Sequence, residues 1–402
     1  MRILQIGSYL YPDLVGGAEI SAHNVHGILT AAGHTVVRLR SAIGPVSART
    51  RLSRDGPEEW RLESWRPMAP IDQGGLGAKA VYYAMEFAVR IDRKQLRAAV
   101  EDAGIDTVIV HSMRGIGYDL MDALADLDLP TVFFLHDFAL VCLNKCMVRA
   151  GKLCVEPCLP CRFVTARSRE ALSRMDRAML IGPSRQIVER VHGAIGLPRL
   201  KTAHIPNPNR YPIVPRPRRS GSEPVTIGYV GRLDHEKGIA GLLPVIDHIA
   251  QEHPVTFLVA GTGALEDELR AFARTRPWCD LRGFVDPERM AEVYDAIDIL
   301  VLPSLWPENF PGVAVQAILS GSPVVAFATG GIPEIVEDGV SGRLAPFGDF
   351  TALGEAIGDL LADPQRFAQL SQGALATSSR FDPDRLAESL LEAIAANART
   401  DR

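Results

Sequence analysis

No uninterrupted apolar run in this 402-residue sequence approaches the roughly 20 residues that a membrane-spanning helix needs. The opening stretch, MRILQIGSYLYP, passes straight into a strand-like pattern without a signal-peptide cleavage motif. The expectation is therefore a cytoplasmic protein, with peripheral contact at the inner membrane face left open. Positive charge is not in surplus either: 43 Lys and Arg stand against 48 Asp and Glu, a net charge of −5. That balance argues against wholesale nucleic-acid binding. What the chain does have is 47% hydrophobic and 23% charged residues, the composition of a soluble globular protein. Its length exceeds one ordinary core and suggests two domains.

The order of elements is repetitive. Met1 to Gly7 reads as a strand, Ala18 to Ala32 as a helix, and Thr35 to Arg40 as a second strand after the Gly33-His34 turn. This is the βαβ pattern of a parallel sheet. Further strands are expected at Thr107–Val110, Thr131–Leu135 and Met179–Gly182, with Ser184 placed to cap the helix that follows. Residues 206–224 carry repeated Pro and Arg without apolar periodicity, as a linker does. A second βα series then begins, with strands expected at Val225–Val230, Thr256–Ala260, Leu281–Phe284, Ile297–Leu302 and Pro323–Ala328. The expected division is 1–206, a linker at 207–224, a second domain at 225–380, and a final segment at 381–402. Two doubly wound domains joined by a linker place a ligand in a cleft between them, at the C-terminal strand ends.

Chemistry concentrates between Leu302 and Gly342. There a strand ends in a Pro-rich loop that presents one carboxylate, Glu308, and a helix starts near Gly312 and runs past Gln316. Helix N-termini favour negative charge through free N–H groups and the dipole. A carboxylate beside such a site cannot hold phosphate, but it suits sugar hydroxyls. Upstream, the strand Thr226–Val230 leads into Gly231-Arg232-Leu233-Asp234-His235-Glu236-Lys237-Gly238. Fixed cations there would stabilise a departing diphosphate more than its ground state, Arg232 with a planar fork and Lys237 as a point charge. Gly261-Thr262-Gly263 follows the next strand.

These motifs resemble the family 4 glycosyltransferases, enzymes of the GT-B fold that use nucleotide-activated sugars. The family carries two glutamates seven residues apart; here the first is Glu308 and the second position holds Gln316. The resemblance implies two Rossmann-like domains facing a central cleft, with the final helix returning to the first domain. It implies that Glu308, Arg232, Lys237 and His136 carry catalysis, and that no catalytic metal is needed, since no Asp-x-Asp stands at a strand end. The nucleotide-sugar donor is expected to meet Gly16, Gly17, Gly231, Gly261, Gly263, Phe284, Phe310, Gly312, Val313 and Gln316. Gln316 offers one acceptor oxygen and two donors where a glutamate grips both ribose hydroxyls, so weaker donor binding or a different nucleotide is expected. Glu334 reads as a structural helix cap. The transferred sugar is expected to be of hexose type, moved with retention of configuration to a glycan or lipid-linked saccharide, as in cell-surface polysaccharide synthesis. Two competing readings stay open: a non-catalytic nucleotide- or glycan-binding relative, motivated by Gln316, and another enzyme class on the same fold, such as an epimerase or a phosphorylase.

In the first domain, Gly16-Gly17-Ala18-Glu19 opens a helix, and His111 and His136 follow adjacent strands. His136-Asp137-Phe138 resembles the family's His-Asp element near the transferred sugar. Five of the six cysteines crowd between Cys142 and Cys161, which in a cytosolic chain favours metal over disulfides. The expected set is a structural zinc on Cys142, Cys154, Cys158 and Cys161, with Cys146 as the substitute for Cys142; reduced, unliganded thiols are the other reading. Arg90, Arg93, Lys94 and Arg97 fall on an expected helix from Tyr82 to Val100, and Arg162, Arg167, Arg169, Arg174 and Arg177 form a second basic run. Solvated helix faces explain both; docking on anionic lipid is the sharper alternative.

Overall fold

A computed structural model describes residues 1–8, 10, 16–43, 49–64, 76–113, 115–149, 152–154, 156–215 and 224–399. The chain divides into two compact units, Met1–Asn209 with Asp384–Arg402, and Arg210–Pro383.

The first unit contains β1 (Arg2–Gly7), α1 (Gly17–Ala31), β2 (Thr35–Ile43), β3 (Arg51–Arg54), β4 (Glu59–Ser64), α2 (Leu76–Ala88), α3 (Arg93–Asp102) and β5 (Thr107–Val110). It continues through α4 (Asp119–Leu127), β6 (Thr131–Phe134), the small hairpin β7 (Val148–Arg149) and β8 (Lys152–Leu153), α5 (Leu159–Ser173), β9 (Ala178–Gly182), α6 (Arg185–Ile195) and β10 (Lys201–His204). Its main sheet has the order β10-β9-β6-β5-β1-β2-β4-β3. Every neighbouring pair is parallel except β3 with β4. The central strands β5, β6 and β9 are buried along their whole length, as expected of a parallel sheet covered on both faces.

The second unit runs β11 (Val225–Val230), α7 (Ile239–Glu252), β12 (Val255–Ala260), α8 (Glu266–Ala273), β13 (Cys279–Gly283), α9 (Met290–Ala296), β14 (Ile299–Leu302) and α10 (Gly312–Ser320). β15 (Val324–Phe327), α11 (Ile332–Ile335), β16 (Gly342–Ala345), α12 (Phe350–Ala362) and α13 (Pro364–Thr377) complete it. Its sheet is wholly parallel, β13-β12-β11-β14-β15-β16. That is the doubly wound order in which the strand sequence reverses between the first and fourth strands, here β11 and β14. The last helix, α14 (Pro383–Ala398), buries Leu390 and Ile394 with Ile3, Val36 and Ile181 of the first unit. Among the described residues no helix is long and apolar enough to cross a membrane.

Most expected elements form within a residue or two of their expected ends, and Ser184 caps α6 by accepting from the Ile187 N–H at 3.4 Å. The helix expected from Tyr82 to Val100 does not form as one piece. Arg90 bridges Arg49 in a short strand contact, and Arg90 O accepts from Thr50 N at 2.8 Å. Ile91 N–H is taken by the Asp119 carboxylate at 2.8 Å, and Asp92 caps the new start by accepting from Gln95 N–H. Three competing partners for consecutive backbone groups end one helix and begin another. The β3–β4 hairpin went unforeseen in the sequence, although Trp60, Leu62 and Ser64 alternate inward along β4. Part of the expected linker, residues 216–223, lies outside the described residues. Of its earlier part, residues 207–209 belong to the first unit and 210–215 to the second, where Tyr211 and Ile213 pack on the core.

Candidate functional site

In the second unit, three loops meet beyond the C-terminal ends of β11, β14 and β15. The loop after β11 carries a short 3₁₀ turn, His235–Lys237, and ends at Gly238 with φ +73°. A Cβ at Gly238 would stand 1.8 Å from Pro303 O, so only glycine lets this loop lie against the one after β14. Leu305 N–H then donates to Glu236 O at 2.9 Å. Lys237 Nζ donates to Glu308 Oε1 at 2.6 Å, and the Ser304 hydroxyl donates to the same oxygen at 2.7 Å. The third loop fixes the glutamate's backbone: Gly331 N–H donates to Glu308 O at 2.6 Å, and a Cβ on Gly330 would fall 2.1 Å from that oxygen.

The Glu308 side chain is 14% exposed and that of Lys237 22%, so the pair is largely withdrawn from water but still reachable. α10 starts four residues beyond Glu308, with Pro311 at its N-cap and no side-chain cap bond. Gly312 and Val313 offer first-turn N–H groups next to a cation, which is an anion-favouring arrangement. Pro311 can offer none. The Tyr211 hydroxyl lies over this turn, 2.8 Å from where a Cβ of Gly312 would stand. Gln316, one turn on, donates weakly to Gly312 O at 3.4 Å. Phe310 packs edge-on against Phe381, with ring centroids 6.1 Å apart.

The expected residues do not all converge on Glu308. Arg232 pairs within its own loop, with Asp234 at 2.6 Å and with Glu236, and its side chain is 57% exposed. Gly231, Gly261 and Gly263 bring the ends of β11 and β12 together: Gly231 N–H donates to Ala260 O, and a Cβ on Gly263 would meet the Leu233 backbone at 2.6 Å. Phe284, after β13, is 70% exposed. Glu334 lies in the first turn of α11, whose N-cap residue is Gly331.

In the first unit the sheet order reverses between β1 and β5. Gln5 on β1 is wholly buried, and its Nε2 donates to Ala22 O at 2.8 Å and meets His111 Nε2 at 2.9 Å. His111 Nδ1 in turn meets His136 Nε2 at 2.9 Å. Loss of water lowers both imidazoles, that of His136 to about 4 and that of His111 well below its usual range, where the neighbouring His136 adds to the effect of burial. Phe134 stacks on His111 with ring centroids 4.7 Å apart. Gly16 is the N-cap of α1, Gly17 is its first residue, and Glu19 lies in its first turn.

The cysteines do not assemble as the expected zinc set. Cys146 and Cys161 thiols both face Cys142 and lower its thiol, while their own are pushed up by the same contacts. Cys158 Sγ lies 3.4 Å from Cys161 Sγ. The sulfur chain thus runs Cys146, Cys142, Cys161, Cys158; the Cys154 N–H donates to Met147 O, and burial together with the neighbouring Cys142 and Cys158 pushes the Cys154 thiol up. Among the described residues no group of three or more His, Cys, Asp or Glu is placed to hold a metal ion.

Several side chains of the two basic runs pair with carboxylates of their own unit. Arg90, Arg93 and Arg167 surround Asp119, which is 1% exposed. Arg167 and Arg174 pair with Asp122, and Arg177 donates to Asp128 O at 2.7 Å.

Sequence reasoning missed Gln5, Ser304 and Tyr211. Gln5 had a signal, a polar residue in the middle of the apolar run Ile3–Ile6. Tyr211 had none, because it sits in the Pro-rich stretch.

Residues 224–363 match the family model described as Glycosyl transferases group 1. A D-inositol 3-phosphate glycosyltransferase from Xylanimonas cellulosilytica is 35% identical over 175 residues, 42% of this chain and 41% of that protein. A glycogen synthase from Mycobacterium tuberculosis is 27% identical over 416 residues, covering 100% of this chain and 96% of that one. Among solved structures, sucrose-phosphate synthase from Thermosynechococcus elongatus superposes with a TM-score of 0.70 at 20% identity, covering 98% of each chain. Anabaena HepE in complex with UDP gives a TM-score of 0.66 at 18% identity, covering 98% of this chain and 100% of that one. The architecture is the GT-B fold.

Proposed function

We propose that this chain, whose residues 224–363 match the group 1 glycosyltransferase model, is a glycosyltransferase that uses a nucleotide sugar and moves a hexose-type sugar with retention of configuration to a glycan or lipid-linked saccharide. The observation that carries this reading is the Lys237–Glu308 pair at 2.6 Å beside the N-terminus of α10. It puts a cation, a hydroxyl-accepting carboxylate and free helix N–H groups where the β11 and β14 ends part. The solved HepE relative contains UDP, and a nucleoside diphosphate donor suits the same chemistry here.

In this reading the diphosphate lies against Gly312, Val313 and Lys237. Both hydrogen bonds to the Glu308 carboxylate fall on Oε1, which leaves Oε2 to accept from sugar hydroxyls. Arg232 leaves its surface partners for the diphosphate; exposed ion pairs of that kind contribute only about 0–1 kcal/mol, less than a charge-assisted bidentate contact. As the bond to the sugar breaks, charge grows on the departing phosphate, and the fixed cations stabilise that state most. No metal is required for this countercharge. The departing phosphate takes the acceptor's proton, and the acceptor oxygen attacks the face it leaves. Synthesis of cell-surface polysaccharide on the cytoplasmic side is the setting in which such an acceptor occurs.

A second reading follows from Gln316. Its amide lacks the charge that makes a ribose contact strong, which favours a relative that binds nucleotide or glycan without turning over. The test is release of nucleoside diphosphate from UDP-, GDP- and ADP-sugars in the presence of mixed oligosaccharide and lipid-linked acceptors. Acceptor-dependent release that disappears in Glu308→Ala supports the transferase. Tight diphosphate binding without release in any combination would establish the binding protein instead.

A further inference from the structure

Cys158 and Cys161 bracket the first turn of α5. Cys158 is its N-cap, in extended conformation, and Leu159 is its first residue, so Cys161 stands at the third helical position. An N-cap side chain ordinarily accepts from a backbone N–H of that turn. Cys158 makes no such bond; its Sγ lies 3.4 Å from Cys161 Sγ instead. Pro160 stands between them, and its ring fixes φ at a helical value, so the turn that brings the sulfurs together is stiff. Two cysteines separated by two residues at a helix N-terminus are an arrangement in which thiols become reactive. Access separates this pair from the sulfurs deeper in the cluster. Cys142, Cys146 and Cys161 are buried, whereas Cys158 is half-buried beside Leu159, which is 81% exposed. Cys142 Sγ accepts the Met147 N–H and Cys146 Sγ the Val148 N–H, each at 3.4 Å, so backbone donors hold those two in place. Cys158 is the sulfur that a reagent from solvent meets, and Cys161 is the sulfur directly behind it.

We propose that Cys158 and Cys161 form a reversible dithiol–disulfide site whose oxidant is of the hydroperoxide class and whose reductant is a small dithiol. Cys158 loses its proton, and its sulfur attacks one oxygen of the peroxide. The O–O bond breaks, and the other oxygen leaves with that proton as water or an alcohol. The Cys161 sulfur then attacks the Cys158 sulfur; the S–O bond breaks, and the hydroxide leaves with the Cys161 proton as water. The two thiols lose two electrons and the peroxide gains them. The sulfurs close from 3.4 Å to about 2.0 Å, which rotation of the half-buried Cys158 side chain supplies. Rapid closure also keeps Cys158 from passing beyond the sulfenic acid. A dithiol reopens the bond by exchange through a mixed disulfide. The site lies wholly within the first unit and does not depend on the transferase reading.

The test uses the full chain, reduced, freed of reductant and given an equimolar amount of hydrogen peroxide. Remaining thiols are alkylated before tryptic digestion. Trypsin places Cys154, Cys158 and Cys161 on one peptide, 153–162, and Cys142 and Cys146 on two others, 115–145 and 146–149. The expected product is peptide 153–162 lighter by two hydrogen atoms, with Cys154 alkylated and the fragments assigning the bond to Cys158 and Cys161. Dithiothreitol is expected to restore both thiols. A bond to Cys154, a bond joining this peptide to Cys142, or an over-oxidised Cys158 with Cys161 still alkylated would overturn the assignment. In Cys158→Ser the Cys161 thiol is expected to disappear about tenfold more slowly or less; loss at the wild-type rate would show that Cys161 reacts without it. A zinc-sensitive dye present during the oxidation is expected to stay silent. Release of about one equivalent of zinc would contradict the proposal, because the sulfurs would then be metal ligands and not a free dithiol.

Discussion

Gln316 is the residue where this chain departs furthest from the pattern it resembles, and it is also the simplest to restore. Its half-buried side chain makes only a weak contact to Gly312 O, and a glutamate has the same shape. Gln316→Glu is expected to tighten diphosphate binding by about tenfold, read by calorimetric titration; unchanged affinity would mean that position 316 does not reach the ligand. The histidine pair gives a second expectation. The His136 pKa is lowered from 6.5 to about 4 in the folded chain. Between those values the unfolded chain binds more protons, so this contribution to stability is complete above about pH 7 and diminishes as pH falls toward 4. Urea midpoints from pH 7.5 to 4.5 should fall more steeply for the wild type than for His136→Phe; parallel curves would deny the shift. At this scale strand ends and a glycine-bounded loop single out Glu308, Lys237 and His136 in the sequence, and the first two pair at 2.6 Å. It could not show that Arg232 pairs with Asp234 and Glu236, since partner choice among neighbouring charges depends on loop geometry.

Elements were legible where burial sets the pattern. The central strands β14 and β15 of the second unit read as continuous apolar runs because a parallel sheet covered on both faces buries their every position, and β11 falls where it was expected, at Val225–Val230. The broken helix at Arg90–Asp92 was not legible, because its cause, Asp119, is distant in sequence and accepts from a backbone N–H. The cysteine spacing likewise marked the segment where the sulfurs gather but not the order of their contacts: Cys146 and Cys161 both lie against Cys142. The loop after β15 carries its own prediction. Gly330 has φ +57°, and any Cβ there would strike Glu308 O. Gly330→Ala is expected to cost about 1–3 kcal/mol in urea unfolding and to reduce diphosphate binding by shifting Glu308. Wild-type affinity in a folded Gly330→Ala protein would show that Glu308 is not held by this contact.

At the scale of the molecule, the alternation of strand and helix predicts two doubly wound sheets, and each sheet reverses its strand order beside the residues singled out for chemistry. In the second unit the reversal lies between β11 and β14, which carry Lys237 and Glu308 on their following loops. In the first it lies between β1 and β5, where Gln5 meets His111. The β3–β4 edge hairpin was harder to foresee, being short and richly charged. The central claim is that the second unit holds a nucleoside diphosphate on Lys237 and the start of α10. Its most direct measurement is a thermal-shift titration of UDP, GDP and ADP against the wild type, Lys237→Ala and Arg232→Ala. The account predicts stabilisation by one of the three, abolished in Lys237→Ala and weakened in Arg232→Ala. No stabilisation by any diphosphate at millimolar concentration, or an equal shift in wild type and Lys237→Ala, would contradict it.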